Sequence, residues 1–324
     1  MVTYVRAVIK ATQFRAVLFC LCLGAALTLT ARDTRPAAAS ASVTLASGFN
    51  ETRTTIPVTI DGQRASCVLD TGSSAILVSP SLAQAARLAG RAGTFEVAPD
   101  GRTYVDRQTQ IGRLGVADYA LSNVPALISS NLTGYSALCG YDFFTHFPTL
   151  IDREHRQVTL YPSQSKLARF RCLTIDLSPH VPLATIEING SWLNHIVLDS
   201  GMAGGGALWD GVRPQLRQPL VANADYDTTP SAVRDGFACG AVASVRYAAG
   251  APATSMPICT ETRRPDGYNG IIETNLPTVH AIAVDYPHRR MCFDVGSYPQ
   301  VTADGSATSR NRTAWSRFKY LRPP

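Results

Sequence analysis

The chain has 324 residues, 45% hydrophobic and 17% charged, enough for about two domains. That balance is globular and excludes a fibrous or low-complexity chain. The formal charge is +6, but Arg6, Lys10 and Arg15 precede the first apolar run, and without these three it is +3. That is too weak and scattered for a nucleic-acid-binding face. Lysine occurs only at positions 10, 166 and 319, so the basic charge is almost all arginine, as expected of a GC-rich, bacterial coding sequence.

Residues 1–31 carry a basic start and an apolar run over 16–31, and small residues follow at 36–41. This is the pattern of an export signal, with an uncleaved anchor tethering the chain to a membrane as the alternative. The run is shorter than a spanning helix usually needs. The expected location is periplasmic or secreted, where disulfides persist. Six cysteines remain beyond the signal, at 67, 139, 172, 239, 259 and 292, and fifteen pairings are open.

Residues 32–45 are small and polar and read as a flexible leader. Residues 54–60 alternate as a strand and end at Asp61-Gly62, a two-residue hairpin turn. Residues 65–69 return into Asp70. A short strand over 75–78 follows, then a helix over 81–88 with Ser79 as N-cap and Pro80 at its first position. Residues 94–107 form a hairpin turning at Pro99-Asp100-Gly101. Further strands are expected over 111–116 and 120–128. Leu138-Cys139-Gly140, an aromatic segment over 141–147, and a hairpin from Leu150-Ile151-Asp152 to residues 157–161 close the unit. Many short strands with glycine and proline punctuation define an all-β class.

After a polar stretch the pattern restarts. Residues 183–188 end at Asn189-Gly190, and residues 192–198 return into Asp199. Ala283-Val284-Asp285 matches Leu150-Ile151-Asp152, and His288-Arg289 matches His155-Arg156 without a gap. The chain is therefore a duplicated unit. The divisions are 1–31 signal or anchor, 32–45 leader, 46–161 first lobe, 162–171 linker, 172–296 second lobe and 297–324 basic polar tail. The matched histidines fall at hairpin turns and read as structural.

Duplication places Asp70-Thr71-Gly72-Ser73-Ser74 opposite Asp199-Ser200-Gly201-Met202-Ala203. Two carboxylates brought face to face cannot both ionise and share a proton. The ionised member can take a proton from water while the protonated one hydrogen-bonds a carbonyl, which is general acid–base hydrolysis. Gly72 and Gly201 let backbone N–H groups approach the carboxylates. The Thr71 and Ser200 hydroxyls can bond across to the opposite loop.

These loops, with the Gly-Tyr-Asp-Phe-Phe segment at 140–144, resemble the pepsin/retropepsin-like aspartic proteases, most closely the bacterial forms with two lobes in one chain. The resemblance covers roughly residues 50–295. It implies a bilobal aspartic protease fold of two pseudo-symmetric β-barrel-like lobes with a cleft between them. It also implies endopeptidase action by Asp70 and Asp199 on a protein or peptide substrate, without metal or cofactor, by a monomer. The hairpin at 95–107 becomes a flap, with Pro99, Asp100 and Gly101 at its tip and Tyr104 as its tyrosine. A protease-fold module that binds peptides without cleaving them is the alternative.

Two departures bear on activity. Met202 and Ala203 stand where the first loop has Ser73 and Ser74, so Ser73 is expected to support Asp70 and make it the more acidic member, with Asp199 holding the proton. Glu273 falls on Gly140 in a gap-free register, as a third carboxylate near the dyad or a buried charge needing a partner. A shifted register would make Gly270 the equivalent instead. Cys67 and Cys139 fall on Ile196 and Ile272, so they are expected as core neighbours, bonded or as thiols. Cys172 with Cys292 and Cys239 with Cys259 are the other expected pairs.

Overall fold

Asp61-Gly62 and Asn189-Gly190 both adopt positive φ, at 45° and 84° and at 47° and 77°, the primed geometry that matches strand twist. Each polar side chain ties its hairpin to the same place in its unit. Asp61 Oδ1 accepts from Arg113 N–H at 2.6 Å, and Asn189 Oδ1 accepts from Ser244 N–H at 2.7 Å. The structure is a computed structural model that describes residues 43–46, 48–50, 53–91, 93–97, 103–130, 132, 134–161, 170–202, 205–222, 237–261, 267–276 and 278–295. The export signal, the leader up to residue 42, linker residues 162–169 and the tail lie outside the described residues.

The first unit comprises β1 (Val43–Ala46), β2 (Gly48–Asn50), β3 (Arg53–Ile60), β4 (Gln63–Leu69), β5 (Leu77–Val78), α1 (Pro80–Ala85), β6 (Gly93–Val97), β7 (Thr103–Val116), β8 (Tyr119–Ile128), β9 (Ala137–Cys139), α2 (Tyr141–His146), β10 (Thr149–Asp152) and β11 (Gln157–Leu160). The second comprises β12 (Arg171–Thr174), β13 (Leu183–Ile188), β14 (Ser191–Asp199), β15 (Gly206–Trp209), β16 (Val221–Ala222), β17 (Phe237–Arg246), β18 (Thr254–Glu261), β19 (Gly270–Glu273), β20 (Val279–Asp285) and β21 (Arg290–Val295).

Strands β3-β4-β9-β5-β8-β7 close into a barrel through the β7–β3 pairing, and β13-β14-β19-β15-β18-β17 close likewise through β17–β13. In both barrels the strand leading to the aspartate runs parallel to a short partner, β9 or β19. Closure removes the exposed edges of each barrel. A third sheet, in the order β1-β11-β10-β20-β21-β12, joins the units. At its centre β10 and β20 pair antiparallel with Leu150 opposite Ala283, so the matched residues face each other across a pseudo-two-fold axis. This is the all-β, bilobal aspartic protease fold. The core fills both barrels and continues under the joining sheet, with Leu69, Ile76, Phe143, Phe144, Leu198, Ile272 and Phe293 fully buried.

Three local expectations change. Residues 43–45, placed in a flexible leader, belong to β1, which pairs with β11; Leu45 packs against the core, a contact the small residues around it disguise. The helix after Ser79 ends at Ala85 and not Leu88, because Arg87 turns left-handed at φ 54°. The return strand of the 94–107 hairpin and the strand over 111–116 are one strand, β7, paired in a single register to β8 from Arg107 to Val116.

Cys67 and Cys139 form a disulfide, as do Cys172 and Cys292. Cys259 is disulfide-bonded too; the side chain of its expected partner, Cys239, lies outside the described residues. His155 Nδ1 pairs with Asp152 and His288 Nδ1 with Asp285, so the matched histidines brace equivalent hairpin turns.

Candidate active site

Val68 and Leu69 are fully buried at the end of β4, as Leu198 is in β14, and this anchoring delivers Asp70 and Asp199 to the junction of the lobes. The two loops then cross. Thr71 N–H donates to Ser200 Oγ at 3.0 Å, and Ser200 N–H donates to Thr71 Oγ1 at 2.9 Å. Each hydroxyl passes its own proton onward, Thr71 to Leu198 O at 2.7 Å and Ser200 to Leu69 O at 2.8 Å. Both residues are fully buried, and all four bonds join one lobe to the other.

The glycines follow from the same crossing. A Cβ on Gly72 would overlap the Asp199 carboxyl, and a Cβ on Gly201 would overlap that of Asp70. Any side chain there would displace a carboxyl group. Each carboxyl therefore lies against the loop of the other lobe, and the two are within hydrogen-bonding reach of each other.

The two aspartates are not equivalent. Asp199 Oδ1 accepts from Gly201 N–H at 2.6 Å and Met202 N–H at 2.9 Å. Asp70 Oδ1 is buried without a protein donor, which a proton held between the carboxyls would satisfy. Burial raises Asp70 well above the usual carboxylate range, the Asp199 charge and the hydrogen bond to Asp199 raise it further, and Gly72 N–H and Arg53 oppose this. Burial raises Asp199 as well, but Gly201 N–H, the Asp70 hydrogen bond, Met202 N–H and Arg53 hold it down. The pair titrates as a unit, and its shared proton favours Asp70.

This reverses the expectation from the loop sequences. Ser73, expected to support Asp70, instead donates to Ala75 O at 2.8 Å within its own loop. A Met202 side chain cannot donate, but its backbone does. The count of backbone N–H donors, invisible in the residue types, decides the asymmetry.

Sequence reasoning missed two neighbours. Arg53, the first residue of β3, donates from Nε to Gly201 O at 2.7 Å and from Nη1 to the Tyr135 hydroxyl at 2.8 Å. It puts a cation beside the dyad and stands 5.2 Å from the centre of the Tyr135 ring. Tyr286, buried beneath the site, donates to Thr71 O at 3.3 Å. Burial, then Asp70 and Asp199, keep its phenol neutral by pushing its pKa well above the ordinary value. Arg53 lies just before the alternating run of residues 54–60, where spacing gives no signal, and Tyr286 follows Asp285 as an ordinary core aromatic.

The hairpin expected as a flap is β6 with the start of β7, with Gly93 opposite Arg107 and Val97 opposite Thr103. Tyr104 pairs with Glu96 along the backbone. The tip at Pro99, Asp100 and Gly101 and the Tyr104 side chain lie outside the described residues, as does Ala203.

Glu273 stands beside Asp199 in the β14–β19 register, with Leu198 opposite Ile272. In lobe one Leu69 is opposite Cys139, so Glu273 is the counterpart of Gly140 and the gap-free register holds over the one with Gly270. Its carboxylate accepts from Gly205 N–H at 2.7 Å. Among the described residues no group of three or more His, Cys, Asp or Glu is placed to hold a metal ion.

The family described as "gag-polyprotein putative aspartyl protease" matches residues 56–146, a span that includes Asp70-Thr71-Gly72 and ends in α2. Among solved structures, a retropepsin-like aspartic protease from Rickettsia conorii is similar at 14% identity, over 37% of this chain and 89% of that one, with a TM-score of 0.29. Comparison with curated proteins gives no match. The first lobe is thus similar in sequence to that aspartyl protease family over residues 56–146, and the likeness to aspartyl proteases read from the duplicated loops is supported.

Proposed function

We propose that the protein is an exported bacterial aspartic endopeptidase in which Asp70 and Asp199 activate a water molecule between them. The observation that carries this reading is the crossed pair of loops, which sets two carboxyls of unequal proton affinity side by side. Asp199, with more hydrogen-bond donors, starts ionised and takes a proton from the attacking water. Asp70 starts protonated and hydrogen-bonds the scissile carbonyl oxygen, which accumulates negative charge as the water oxygen adds to carbon. Passing its proton to that oxygen gives a tetrahedral diol. The proton on Asp199 then goes to the leaving amine, the C–N bond breaks, and Asp70 recovers its proton from the diol. No covalent enzyme intermediate forms.

The hairpin β6–β7 is the natural cover for a peptide lying across the two loops. An apolar N-terminal run and five disulfide-bonded cysteines within the lobes favour an oxidising compartment. None of the described helices is long and apolar enough to cross a membrane.

The test is cleavage of an unfolded protein across a range of pH. Turnover that is blocked by a pepstatin-like inhibitor and abolished in Asp70→Asn and in Asp199→Asn supports the reading. Peptide binding without turnover at any pH would leave the binding module in its place.

A further inference from the structure

We propose that Glu273 is a positioning residue that holds the second catalytic loop, and through it Asp199, in working geometry, with Arg153 of the other lobe securing the residues that follow it. This rests on the reading of Asp70 and Asp199 as a catalytic pair.

The two loops are supported differently. In lobe one the loop lies directly on Gly140: a Cβ there would overlap Ser73 O and Ala75 O, and Tyr141 N–H donates to Ser73 O at 3.0 Å. The second loop is one residue longer. Leu77 and Ala207 occupy equivalent places opposite Leu138 and Ile271, seven residues after Asp70 but eight after Asp199. The longer run leaves room for a side chain where lobe one has none. Glu273 fills it, accepting from Gly205 N–H at 2.7 Å while its own N–H donates to Gly205 O at 2.8 Å. The far end of the loop is thus clamped by both the backbone and the side chain of one residue.

The residues that follow clamp the near end. Thr274 N–H donates to Asp199 O at 2.8 Å, and Asn275 Nδ2 donates to Ser200 O. Arg153, on the β10–β11 turn of lobe one, reaches this segment from the other side. Its Nη1 donates to Asn275 O and, at 2.7 Å, to Leu276 O. The Glu273 charge stabilises the Arg153 cation against its burial. Tyr247, buried and neutral, donates to Glu273 O at 2.6 Å.

Segment 273–276 therefore grips the catalytic loop at both ends and is itself gripped from lobe one. Glu273 is 2% exposed, and a buried carboxylate needs its partner. Loss of either charge would loosen the 273–276 segment. The dyad would then be misplaced with little change in the substrate-binding surface. Restoring the glycine of lobe one would not repair the loop, because the longer second loop would lose the acceptor for Gly205 N–H.

The experiment compares wild type with E273Q, E273G, R153M and the double variant E273Q/R153M on one unfolded substrate, with fold checked by circular dichroism. Glutamine is nearly isosteric and keeps an acceptor for Gly205, so E273Q reports the Glu273 charge and E273G the side-chain part of the clamp. The expected result is kcat lower by about ten- to a hundredfold in E273Q and E273G, with KM within about twofold and E273G no better than E273Q. The double variant should cost no more than the worse single one, since the charges act together. A wild-type kcat in E273Q and E273G overturns the inference, as does a loss confined to KM. If R153M does not fold, the two Glu273 variants decide. A wild type without turnover overturns the protease reading instead, so the two failures are distinct.

Discussion

Thr71 and Ser200 exchange hydrogen bonds across the lobe boundary, each accepting the other's backbone N–H at 2.9–3.0 Å on its hydroxyl oxygen. The same hydroxyls donate to Leu198 O and Leu69 O, the carbonyls just before the opposite aspartates. Four buried bonds therefore fix the separation of Asp70 and Asp199 from directly behind them.

Removing one hydroxyl breaks two of these bonds and strands a buried N–H and a buried carbonyl. Thr71→Val, which keeps the shape, should destabilise the protein by about 2–6 kcal/mol, from a cost of about 1–3 kcal/mol for each unsatisfied group. Ser200→Ala should cost a similar amount, and the two together clearly less than their sum, because they share partners. Chemical denaturation of the three variants checks this; additive losses would mean the hydroxyls act separately.

The raised pKa of Asp70 sets a sign for stability. A carboxyl whose folded pKa lies above its unfolded value contributes fully below the unfolded value, near 3.9, and its contribution is lost as pH rises through the folded value. Burial is the chief cause, followed by the charge of Asp199. Asp70→Asn cannot ionise, so it should match wild type in Tm near pH 3 and exceed it increasingly toward pH 8. Each tenfold gain in proton affinity on folding corresponds to about 1.4 kcal/mol. The same comparison on Asp199→Asn should give the smaller gain, because Gly201 and Met202 N–H groups already support that charge. Thermal melts across pH measure both, and a larger gain for Asp199→Asn would reverse the assignment of the proton.

The duplication, the hairpin turns and the two Asp-hydroxyl-Gly loops were legible because each is a local signal. Alternation marks the strands, Asp61-Gly62 and Asn189-Gly190 mark turns, and an apolar run ending in aspartate repeats in both halves. What escaped depends on partners distant in sequence. Nothing local announces that Val43 pairs with Leu160, or that Arg153 grips Asn275 O and Leu276 O of the other lobe. The proton assignment escaped for a further reason. It follows from where backbone N–H groups point, and from Ser73 turning its hydroxyl onto Ala75, which residue identity does not determine.

Cys67 and Cys139 join β4 to β9 just below Asp70, where lobe two has Ile196 and Ile272. Both sulfurs are buried, at 0% and 1% exposure, so the bridge closes a chain loop of sequence separation 72 from within the core. Cys67→Ala/Cys139→Ala should lose about 2–5 kcal/mol from the missing cross-link, with a cavity adding to it. Cys67→Ile/Cys139→Ile copies the apolar filling of lobe two and should recover the cavity part but not the cross-link part. Denaturation of the oxidised protein and both variants separates the two contributions; equal stability of the isoleucine variant and wild type would show that the bridge acts only as filling.

Arg53 is the cation beside the dyad, and it lowers the proton affinity of both aspartates. Its Nε also holds Gly201 O at 2.7 Å, so charge and position must be separated. Arg53→Met removes both, whereas Arg53→Lys keeps the charge but loses the fork that spans Gly201 O and the Tyr135 hydroxyl. Without the cation both carboxyls rise. Activity requires one carboxyl protonated and one ionised, so both limbs of the pH–rate profile should move to higher pH, by about one pH unit at most. Arg53→Lys should leave the limbs in place while lowering kcat, and Tyr135→Phe should mimic the lysine variant more weakly. Limbs that stay fixed in Arg53→Met would show that Arg53 serves only to hold the Gly201 carbonyl.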